Sequence, residues 1–251
     1  MKTDEGKNRV ALVTGGSRGI GKAISLRIAG TVARTVIVNY LQNETEAERT
    51  RIQIEELQCR CVLARANLAD PQEIDRLFAI ITKNTESIDI FVHCAALNTF
   101  KSLLEVKPNQ WDLTMNTNAR GFLLCVQKTV PLMKGGSIVA ISSLGSGRVV
   151  PNYGAMGPTK AALESIVRYL AFELAPRGIR VNAVSGGYIK TESIMKFPNA
   201  GALREEARKN TPGKRLGTPD DIADVVMFLI NPDSRWIYGQ TVVVDGGVTL
   251  M

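Results

Sequence analysis

The sequence is poor in the residue types on which many active sites depend. Among its 251 residues there is one histidine, His93, so a site built from several histidines is excluded and a histidine-dependent triad is disfavoured. His93 ends an apolar run, and we interpret it as a structural residue whose polar groups are satisfied. The four cysteines are scattered without metal-ligand spacing and indicate free thiols in a reducing cytosol. We therefore expect a cytoplasmic protein with no metal site.

Long apolar segments are also missing from the sequence. No run of about 18 apolar residues occurs, so the sequence predicts no transmembrane helix and no membrane partner. The first nine residues are polar and lack the apolar core of a secretory signal. Both features agree with a cytoplasmic location.

The formal net charge is +7, which raises the question of a nucleic acid partner. The sequence shows no basic stripe with interleaved aromatic residues and no DNA-reading motif, so we expect no nucleic acid partner. Its hydrophobic content of 45% and charged content of 22% are those of an ordinary soluble globular protein.

Short apolar runs alternate with helical patterns along the whole chain, without a linker or a repeat. The predicted strands are 9–13, 35–39, 61–66, 89–93, 137–141, 179–184 and, with its turn, 239–247. Such alternation is typical of α/β proteins with helices on both faces of a parallel sheet. We expect a single domain over residues 1–251, with a Rossmann-type doubly wound parallel sheet of about seven strands.

The first predicted strand leads into a glycine-rich turn, Thr14 to Gly21, and then into a helix. This context is typical of dinucleotide binding, because the glycines allow a tight turn and a close approach of the pyrophosphate to the helix N-terminus. Gly15 permits the turn, Gly19 the approach, and Gly21 close packing of helix on strand. The predicted cofactor-binding residues of this turn are Gly15, Ser17, Arg18, Gly19, Ile20 and Gly21.

The second predicted strand ends at Asn39, where an acidic residue would hold the adenosine ribose of NAD. No carboxylate follows until Glu44, and Arg18 can meet a 2′-phosphate instead. The sequence therefore favours NADP over NAD. Further cofactor contacts are expected after the third and fourth strands, at Asn67, Leu68 and Ala95.

Tyr153 is the candidate proton donor. Lys160 follows seven positions later, and in a helix this spacing places both side chains on one face, two turns apart. The positive charge of Lys160 can lower the pKa of a nearby phenol. Pro158, between them, predicts a local irregularity in the helix.

Two further polar residues are candidates for the site. Ser143 closes the fifth predicted strand, and because the carboxyl ends of parallel strands face the ligand crevice, it is placed to contact substrate. Asn118 lies in a long predicted helix, from 111 to about 133. It can hold a helix bend or a water relay, or simply make a packing hydrogen bond.

The segment after the sixth strand is expected to cover the site. Gly186 belongs to a glycine loop that can lean over a nicotinamide, and residues from about 188 to 216 are expected to form a substrate lid. Residues 190 to 215 carry seven basic and three acidic side chains, a surplus of four positive charges.

The assembled pattern resembles the short-chain dehydrogenase/reductase family over nearly the whole chain. The resemblance rests on the glycine turn, Asn118, Ser143, Lys160, and the stretches 179–184 and 239–247. The family's usual tyrosine lies four residues before the lysine, where this sequence has Met156. The spacing from Tyr153 to Lys160 instead resembles that of enoyl-acyl carrier protein reductases. The stretches 111–119, 141–146, 182–187 and 197–199 are similar to their NADPH-dependent type III branch.

The sequence departs from the family pattern at several places. The usual Asn-Asn-Ala-Gly after the fourth strand is replaced by residues 93–96, His-Cys-Ala-Ala. Asn67 stands for the usual Asp, and Gly186-Gly187 for the usual Pro-Gly. Basic residues usual after the second strand are missing, which weakens the NADP prediction without reversing it.

The resemblance implies a function and partners. It implies NADPH-dependent reduction of the trans-2 double bond of enoyl-acyl carrier protein thioesters in fatty acid synthesis, by a homotetramer. Tyr153 would hydrogen-bond the developing enolate and Lys160 the nicotinamide ribose, while Ile189 and Thr191 resemble residues that steady the carboxamide. A carbonyl or 3-oxoacyl reductase and a non-catalytic NADP-binding sensor or scaffold remain open.

Overall fold

The protein is described here by a computed structural model that covers residues 9–192 and 200–250. Seven parallel strands form one sheet in the order β3-β2-β1-β4-β5-β6-β7. The strands are β1 Arg9–Thr14, β2 Ala33–Tyr40, β3 Arg60–Arg65, β4 Ile90–His93, β5 Gly136–Ser143, β6 Ile179–Gly186 and β7 Thr241–Val244. The predicted doubly wound parallel sheet in a single domain is confirmed.

Helices cover both faces of the sheet. Within the described ranges they are α1 Gly19–Ala29, α2 Glu44–Glu56, α3 Pro71–Asn84, α4 Pro108–Met115, α5 Gly121–Thr129, α6 Met156–Leu174, α7 Ala200–Asn210 and α8 Pro219–Ile230. None of the helices in these ranges is long and apolar enough to cross a membrane.

Two apolar cores lie on the two faces of the sheet, as alternation along a strand requires. In β1, Val10 and Leu12 pack with α3, α5 and α6, whereas Ala11 and Val13 pack with α1 and α8. Because both faces are covered, the strands are apolar along their length rather than alternating with polar residues. This burial explains why short continuous apolar runs located the strands in the sequence.

The strand order places a crevice at the centre of the sheet. β1 pairs with β2 on one side and with β4 on the other, so the chain winds outward in opposite directions from β1 and β4. Ligands of open α/β sheets bind at such a switch point, outside the carboxyl ends of the strands. The side chains that follow β1, β4 and β5 therefore meet at one edge.

The long helix predicted from 111 to about 133 is interrupted. It begins at Pro108, whose missing N–H is not needed in a first turn. A π-helical turn, Asn116–Arg120, then separates α4 from α5. The side chain of Asn118 bonds both the N–H and the carbonyl of Leu97, at 2.8 and 3.2 Å, so this turn is tied to the loop after β4.

The prediction that Tyr153 lies on the same helix as Lys160 is wrong. α6 begins at Met156, and Tyr153 precedes it in a turn that forms a parallel bridge with Lys101. The N–H of Gly157 does donate to the Tyr153 carbonyl, at 2.9 Å. Pro158 lies in the first turn of α6 and has no N–H to donate to the carbonyl of Gly154, so the hydrogen-bond ladder is interrupted there. The irregularity predicted at Pro158 thus falls at the start of α6, next to the turn that holds Tyr153.

The predicted lid, 188–216, is described in part. Residues 193–199 lie outside the described residues, and with them Lys196 and the 197–199 stretch used for the resemblance. On either side of that gap, Ile189 bridges to Gly217 and α7 follows from Ala200.

Candidate active site

A cleft of about 510 Å³ opens at the carboxyl ends of the strands. Most of the residues predicted to bind cofactor or substrate line it, namely Gly15, Arg18, Gly19, Ile20, Gly21, Asn39, Asn67, Leu68, Ala95, Ser143, Tyr153, Lys160, Gly186, Ile189 and Thr191. Ser17 and Asn118 are buried beside the cleft and do not line it. The sequence therefore located one continuous cleft from residues spread over the whole chain.

The glycine turn is packed too tightly to accept side chains at two positions. Gly15 has a φ of +61°, and a Cβ there would lie 2.8 Å from Cα of Ala95. A Cβ on Gly21 would lie 2.1 Å from the carbonyl oxygen of Gly15. The close contact of Gly21 is thus with the turn itself, rather than with the strand as predicted. These contacts aim the N-terminus of α1 at the cleft, where its N–H groups suit a pyrophosphate.

The glycine turn contributes one exposed cation, Arg18, to the cleft. The guanidinium of Arg18 forms an ion pair of 3.5 Å with Glu192, across the mouth of the cleft. Asn39 is buried, and its amide nitrogen donates to the carbonyls of Ala64 and Ala66, at 3.1 and 3.2 Å. The residues present fit a dinucleotide. The glycine turn leaves room for a close approach of the pyrophosphate, the N-terminus of α1 offers N–H groups to it, and the guanidinium of Arg18 can meet a further phosphate.

The hydroxyl of Tyr153 donates to the Ser143 hydroxyl oxygen across 3.3 Å. The tyrosine ring is partly exposed along the cleft and stacks on Phe100, with ring centroids 6.2 Å apart. Its other side lies against Gly145, where a Cβ would come within 2.5 Å of the ring. The phenol is thus held between an aromatic ring and a glycine backbone, with its oxygen at the end of β5.

The pKa of Tyr153 departs from the expectation. Its pKa is raised from the ordinary value, chiefly because the phenol is surrounded by protein, and the Ser143 hydrogen bond acts in the opposite direction. We predicted a pKa lowered by Lys160. In this structure the shift is set by desolvation of the phenolate, with Ser143 and not Lys160 as the opposing cause, so Tyr153 is a neutral phenol that can donate a proton.

Lys160 lines the cleft and is largely buried, and its ammonium donates to the carbonyl of Ile141 at 2.7 Å. Burial lowers the pKa of Lys160 to about 8, and Cys94 and Glu164 oppose this shift. Glu164, one turn further along α6, accepts a hydrogen bond from Ser142, beside Ser143. The lysine therefore brings a positive charge to the site near neutral pH.

Met156 occupies a packed position in the wall of the cleft. It is 1% exposed, and its sulfur lies 3.3 Å from the amide nitrogen of Asn118. That amide also donates to the hydroxyl of Thr159, at 3.2 Å. Asn118 therefore acts through its side chain as a brace between the loop after β4 and α6, and the helix-bend interpretation agrees with its π-helical setting.

Sequence reasoning missed the apolar wall of the cleft. This wall is formed by Leu97, Phe100, Leu113, Leu144, Val150 and Tyr188. Residues 97–106 carry no regular apolar period, so no pattern could have shown that they fold over Tyr153. The only available signal was the cluster of large apolar residues in segments without helix or strand periodicity.

His93 is buried as expected, yet the expectation that its polar groups are satisfied holds only for one ring nitrogen. Nδ1 lies 3.0 Å from the Thr14 hydroxyl oxygen, whereas Nε2 has no hydrogen-bond partner among the described residues. All four cysteines are free thiols, as predicted.

Comparisons with known proteins show the family to which the chain belongs. A family model described as enoyl-(acyl carrier protein) reductase matches residues 15–249. The 1-cyclohexenylcarbonyl-CoA reductase of Streptomyces collinus is 38% identical over 248 residues, 98% of this chain and 88% of that protein. A 3-oxoacyl-acyl carrier protein reductase of Staphylococcus epidermidis is 33% identical over 244 residues, 96% of this chain and 99% of that protein.

Solved structures add a match of the whole fold. A short-chain dehydrogenase from Burkholderia cenocepacia, in complex with NADP, has a TM-score of 0.91 and 31% identity, covering 98% of this chain and 100% of that one. The chain therefore belongs to the short-chain dehydrogenase/reductase family of oxidoreductases.

Proposed function

We propose that the protein reduces the trans-2 double bond of enoyl thioesters carried on acyl carrier protein, with NADPH, in cytoplasmic fatty acid synthesis. The observation that carries the proposal is the position of the phenol. Tyr153, seven residues before Lys160, places its hydroxyl on Ser143, while Met156, four residues before, is packed against Asn118. The phenol that bonds Ser143 is thus displaced from the family's usual tyrosine position, four residues before the lysine.

The displaced phenol suits an enoyl thioester. NADPH supplies the hydride, which goes to C3 of the substrate. Negative charge then builds on the thioester oxygen. This oxygen is three bonds from C3, whereas C2 is one bond from it. Tyr153 donates a hydrogen bond to this oxygen as the charge develops, and Ser143 orients the phenol. Lys160 adds positive charge to the site, and a proton taken up from water by C2 of the enolate completes the reaction.

The remaining residues of the cleft are assigned to the parts of the cofactor and of the acyl chain. Arg18 and the glycine turn bind the phosphates, Asn67, Leu68 and Asn39 border the adenosine, and Ile189 and Thr191 border the nicotinamide. The apolar wall around Phe100 excludes water from the acyl chain. Exclusion of water strengthens the hydrogen bond to the enolate oxygen, since a low dielectric strengthens electrostatic interactions.

Acyl carrier protein is the proposed partner because the lid is basic. Arg208 and Lys209 on α7 and Lys214 after it are exposed and border one shallow depression, with Glu205 as its acidic member. Acyl carrier proteins are acidic, so this surface favours their approach over a neutral surface. The homotetramer is proposed from α6, whose Tyr169 and Phe172 are 71% and 85% exposed.

The assay that tests the function compares two thioesters. Purified protein is given NADPH with crotonyl or acetoacetyl thioesters, each on acyl carrier protein and on coenzyme A, and products are identified by mass spectrometry. We expect NADPH oxidation with crotonyl-acyl carrier protein and butyryl product. Turnover of acetoacetyl thioesters alone would establish the rival 3-oxoacyl reductase, which the Staphylococcus epidermidis relative favours. NADPH binding with no turnover of any substrate would indicate the sensor or scaffold.

A further inference from the structure

The strand order decides which side of the cleft takes which half of a dinucleotide. The pyrophosphate belongs at the N-terminus of α1, which follows β1 at the centre of the sheet. Ser143 and Tyr153 lie at the end of β5, on one side of β1, so the nicotinamide belongs there. The adenosine therefore lies on the other side, at the ends of β2 and β3. The cleft residues there include Asn39, Leu41, Asn67 and Leu68.

The side-chain amide of Asn67 is oriented by the turn that follows β3. The N–H of Ala69 donates to Oδ1 of Asn67 at 3.0 Å, and the N–H of Asp70 donates to the Asn67 carbonyl at 3.1 Å. Because the amide oxygen can accept the Ala69 N–H and the amide nitrogen cannot, this bond distinguishes the two ends of the amide. The N–H groups on Nδ2 are thereby left for another partner.

Nδ2 of Asn67 is a donor that the cleft can use. It makes no hydrogen bond within the described part of the chain. Of the fully buried side-chain nitrogens and oxygens in that part, only Nε2 of His93 lacks a partner, so Nδ2 of Asn67 is accessible. Asn67 is partly exposed and lines the cleft. Its donor is therefore open to a ligand at the adenosine side.

The cleft offers no carboxylate to the base. Among the described residues that line it, Glu192 is the only acidic one, and it forms the ion pair with Arg18. The carbonyls of Ala64 and Ala66, at the end of β3, already accept from Nδ2 of Asn39, at 3.1 and 3.2 Å. The edge of the base thus meets a neutral donor at Asn67, and no negatively charged acceptor.

We infer that Asn67 is a specificity-determining residue that donates from Nδ2 to the base of the dinucleotide, and that the protein binds a 6-oxopurine base as readily as adenine. Adenine has a ring nitrogen that accepts beside its amino group, whereas a 6-oxopurine has the accepting oxygen O6 in place of the amino group. A neutral donor serves either base. A carboxylate at the same place would accept from the adenine amino group and repel O6, and would so select adenine. The inference rests on the proposed function only in that an NADP-type dinucleotide occupies the cleft.

Two dinucleotides that differ only in the base test the inference. They are NADPH and reduced nicotinamide hypoxanthine dinucleotide phosphate. Both carry the same phosphates, so the ratio of their Kd values reports the recognition of the base alone. Fluorescence titration of the reduced nicotinamide measures both Kd values without turnover. We expect the hypoxanthine dinucleotide to bind the wild-type protein within about threefold of NADPH, because each base accepts one hydrogen bond from Asn67.

Substitutions at Asn67 change the group that faces the base. Asn67→Asp keeps an oxygen for the Ala69 N–H and replaces only the donor, so we expect the hypoxanthine dinucleotide to bind about tenfold or more weakly relative to NADPH. Asn67→Ser keeps a hydroxyl oxygen for the turn and has no donor that reaches the base. We expect it to weaken both dinucleotides about fivefold with the wild-type ratio.

Asp70→Asn is the matched control. Asp70 lies in the same turn and its carboxylate accepts from the N–H of Gln72, a bond that an asparagine oxygen retains, yet Asp70 does not line the cleft. Both Kd values should stay near those of the wild type. The control separates a change of charge near the turn from a change of the group that faces the base.

Several outcomes would contradict the inference. A wild-type protein that prefers NADPH by more than about threefold would overturn it, and so would an Asn67→Asp variant with the wild-type ratio. Thioester reduction is measured separately. The expected ratios without turnover of any thioester would refute the proposed function and leave the inference standing, whereas a failure to bind either dinucleotide would overturn both.

Discussion

The hydroxyl oxygens of Tyr153 and Ser143 lie 3.3 Å apart although only Ser143 belongs to a regular element, the end of β5. Tyr153 is held in place by tertiary contacts instead. It bridges to Lys101, stacks on Phe100 and lies against Gly145. The proposed proton donor is therefore positioned by a loop that folds over the cleft, and the loop and the donor have to be considered together.

Replacing the phenol tests its role directly. We expect Tyr153→Phe to lower kcat by about 100-fold or more, because a donor to a developing oxyanion is lost. The Kd for NADPH should change by less than about twofold, since the ring and its stacking on Phe100 are kept. Stopped-flow reduction and fluorescence titration measure the two quantities. A variant with unchanged kcat would remove Tyr153 from the mechanism.

A tyrosine at the family's usual position should not substitute for Tyr153. Met156 is 1% exposed and its sulfur contacts the amide of Asn118, so a larger phenol there must displace packed neighbours. We expect the Met156→Tyr, Tyr153→Phe double variant to remain inactive on enoyl thioesters. Met156→Leu, which keeps the volume, is the matched control and should retain most activity. Restored enoyl reduction in the double variant would contradict the geometric basis of the proposal.

The ion pair between Arg18 and Glu192 leads to a prediction about cofactor choice. We expect Arg18→Ala to weaken NADPH about tenfold or more and NADH much less, because only NADPH has a 2′-phosphate for the guanidinium. Glu192→Gln frees Arg18 from a partner that competes with the phosphate, so NADPH should bind slightly more tightly. Isothermal titration with both cofactors measures the ratio. Equal weakening of NADPH and NADH by Arg18→Ala would show that the 2′-phosphate lies elsewhere.

Much of the fold and of the site could be predicted because both follow from local patterns. Continuous apolar runs located the strands, and since the carboxyl ends of parallel strands face the ligand crevice, Ser143 at the end of β5 could be placed at the site from sequence. The sequence could not show that Tyr153 lies outside α6. The turn before α6 is instead held by tertiary contacts, the bridge of Tyr153 to Lys101 and the packing of Gly154 against Leu103, where a Cβ would come within 2.5 Å of the backbone.

The apolar wall and the π-helical turn could not be predicted from the sequence either. Phe100 reaches the site because Lys101 pairs with Tyr153, a contact between residues about 50 positions apart that carries no local period. The π-helical turn follows from the bonds of Asn118 to Leu97, which are also tertiary. Contacts of this kind become visible only when the chain is folded.

The exposed aromatic residues of α6 predict the oligomer. Tyr169 and Phe172 are 71% and 85% exposed, and pairing of α6 with α6 of another copy would bury them. We expect a tetramer in sedimentation velocity. Phe172→Glu should shift it towards smaller species, because a buried unpaired carboxylate opposes association. Glu173→Gln, a conservative change of the neighbouring side chain, is the control and should remain tetrameric. A monomeric wild type would contradict the prediction.

The lowered pKa of Lys160 predicts how stability depends on pH. The folded pKa is about 8, below the ordinary value of 10.5, so folding opposes the charged form. Below pH 8 the lysine is charged in both states and the full penalty of its burial is present, on the order of 3 kcal/mol. Between pH 8 and 10.5 the folded state loses the Lys160 proton before the unfolded state does. The free energy of unfolding therefore rises with pH, relative to a variant that lacks this lysine. We therefore expect Lys160→Met to be more stable than the wild type at pH 7, with the difference shrinking by pH 9.5. Urea unfolding of both proteins, without ligands, at the two pH values measures this, and a difference that grows with pH would show that Lys160 is stabilised by its charge.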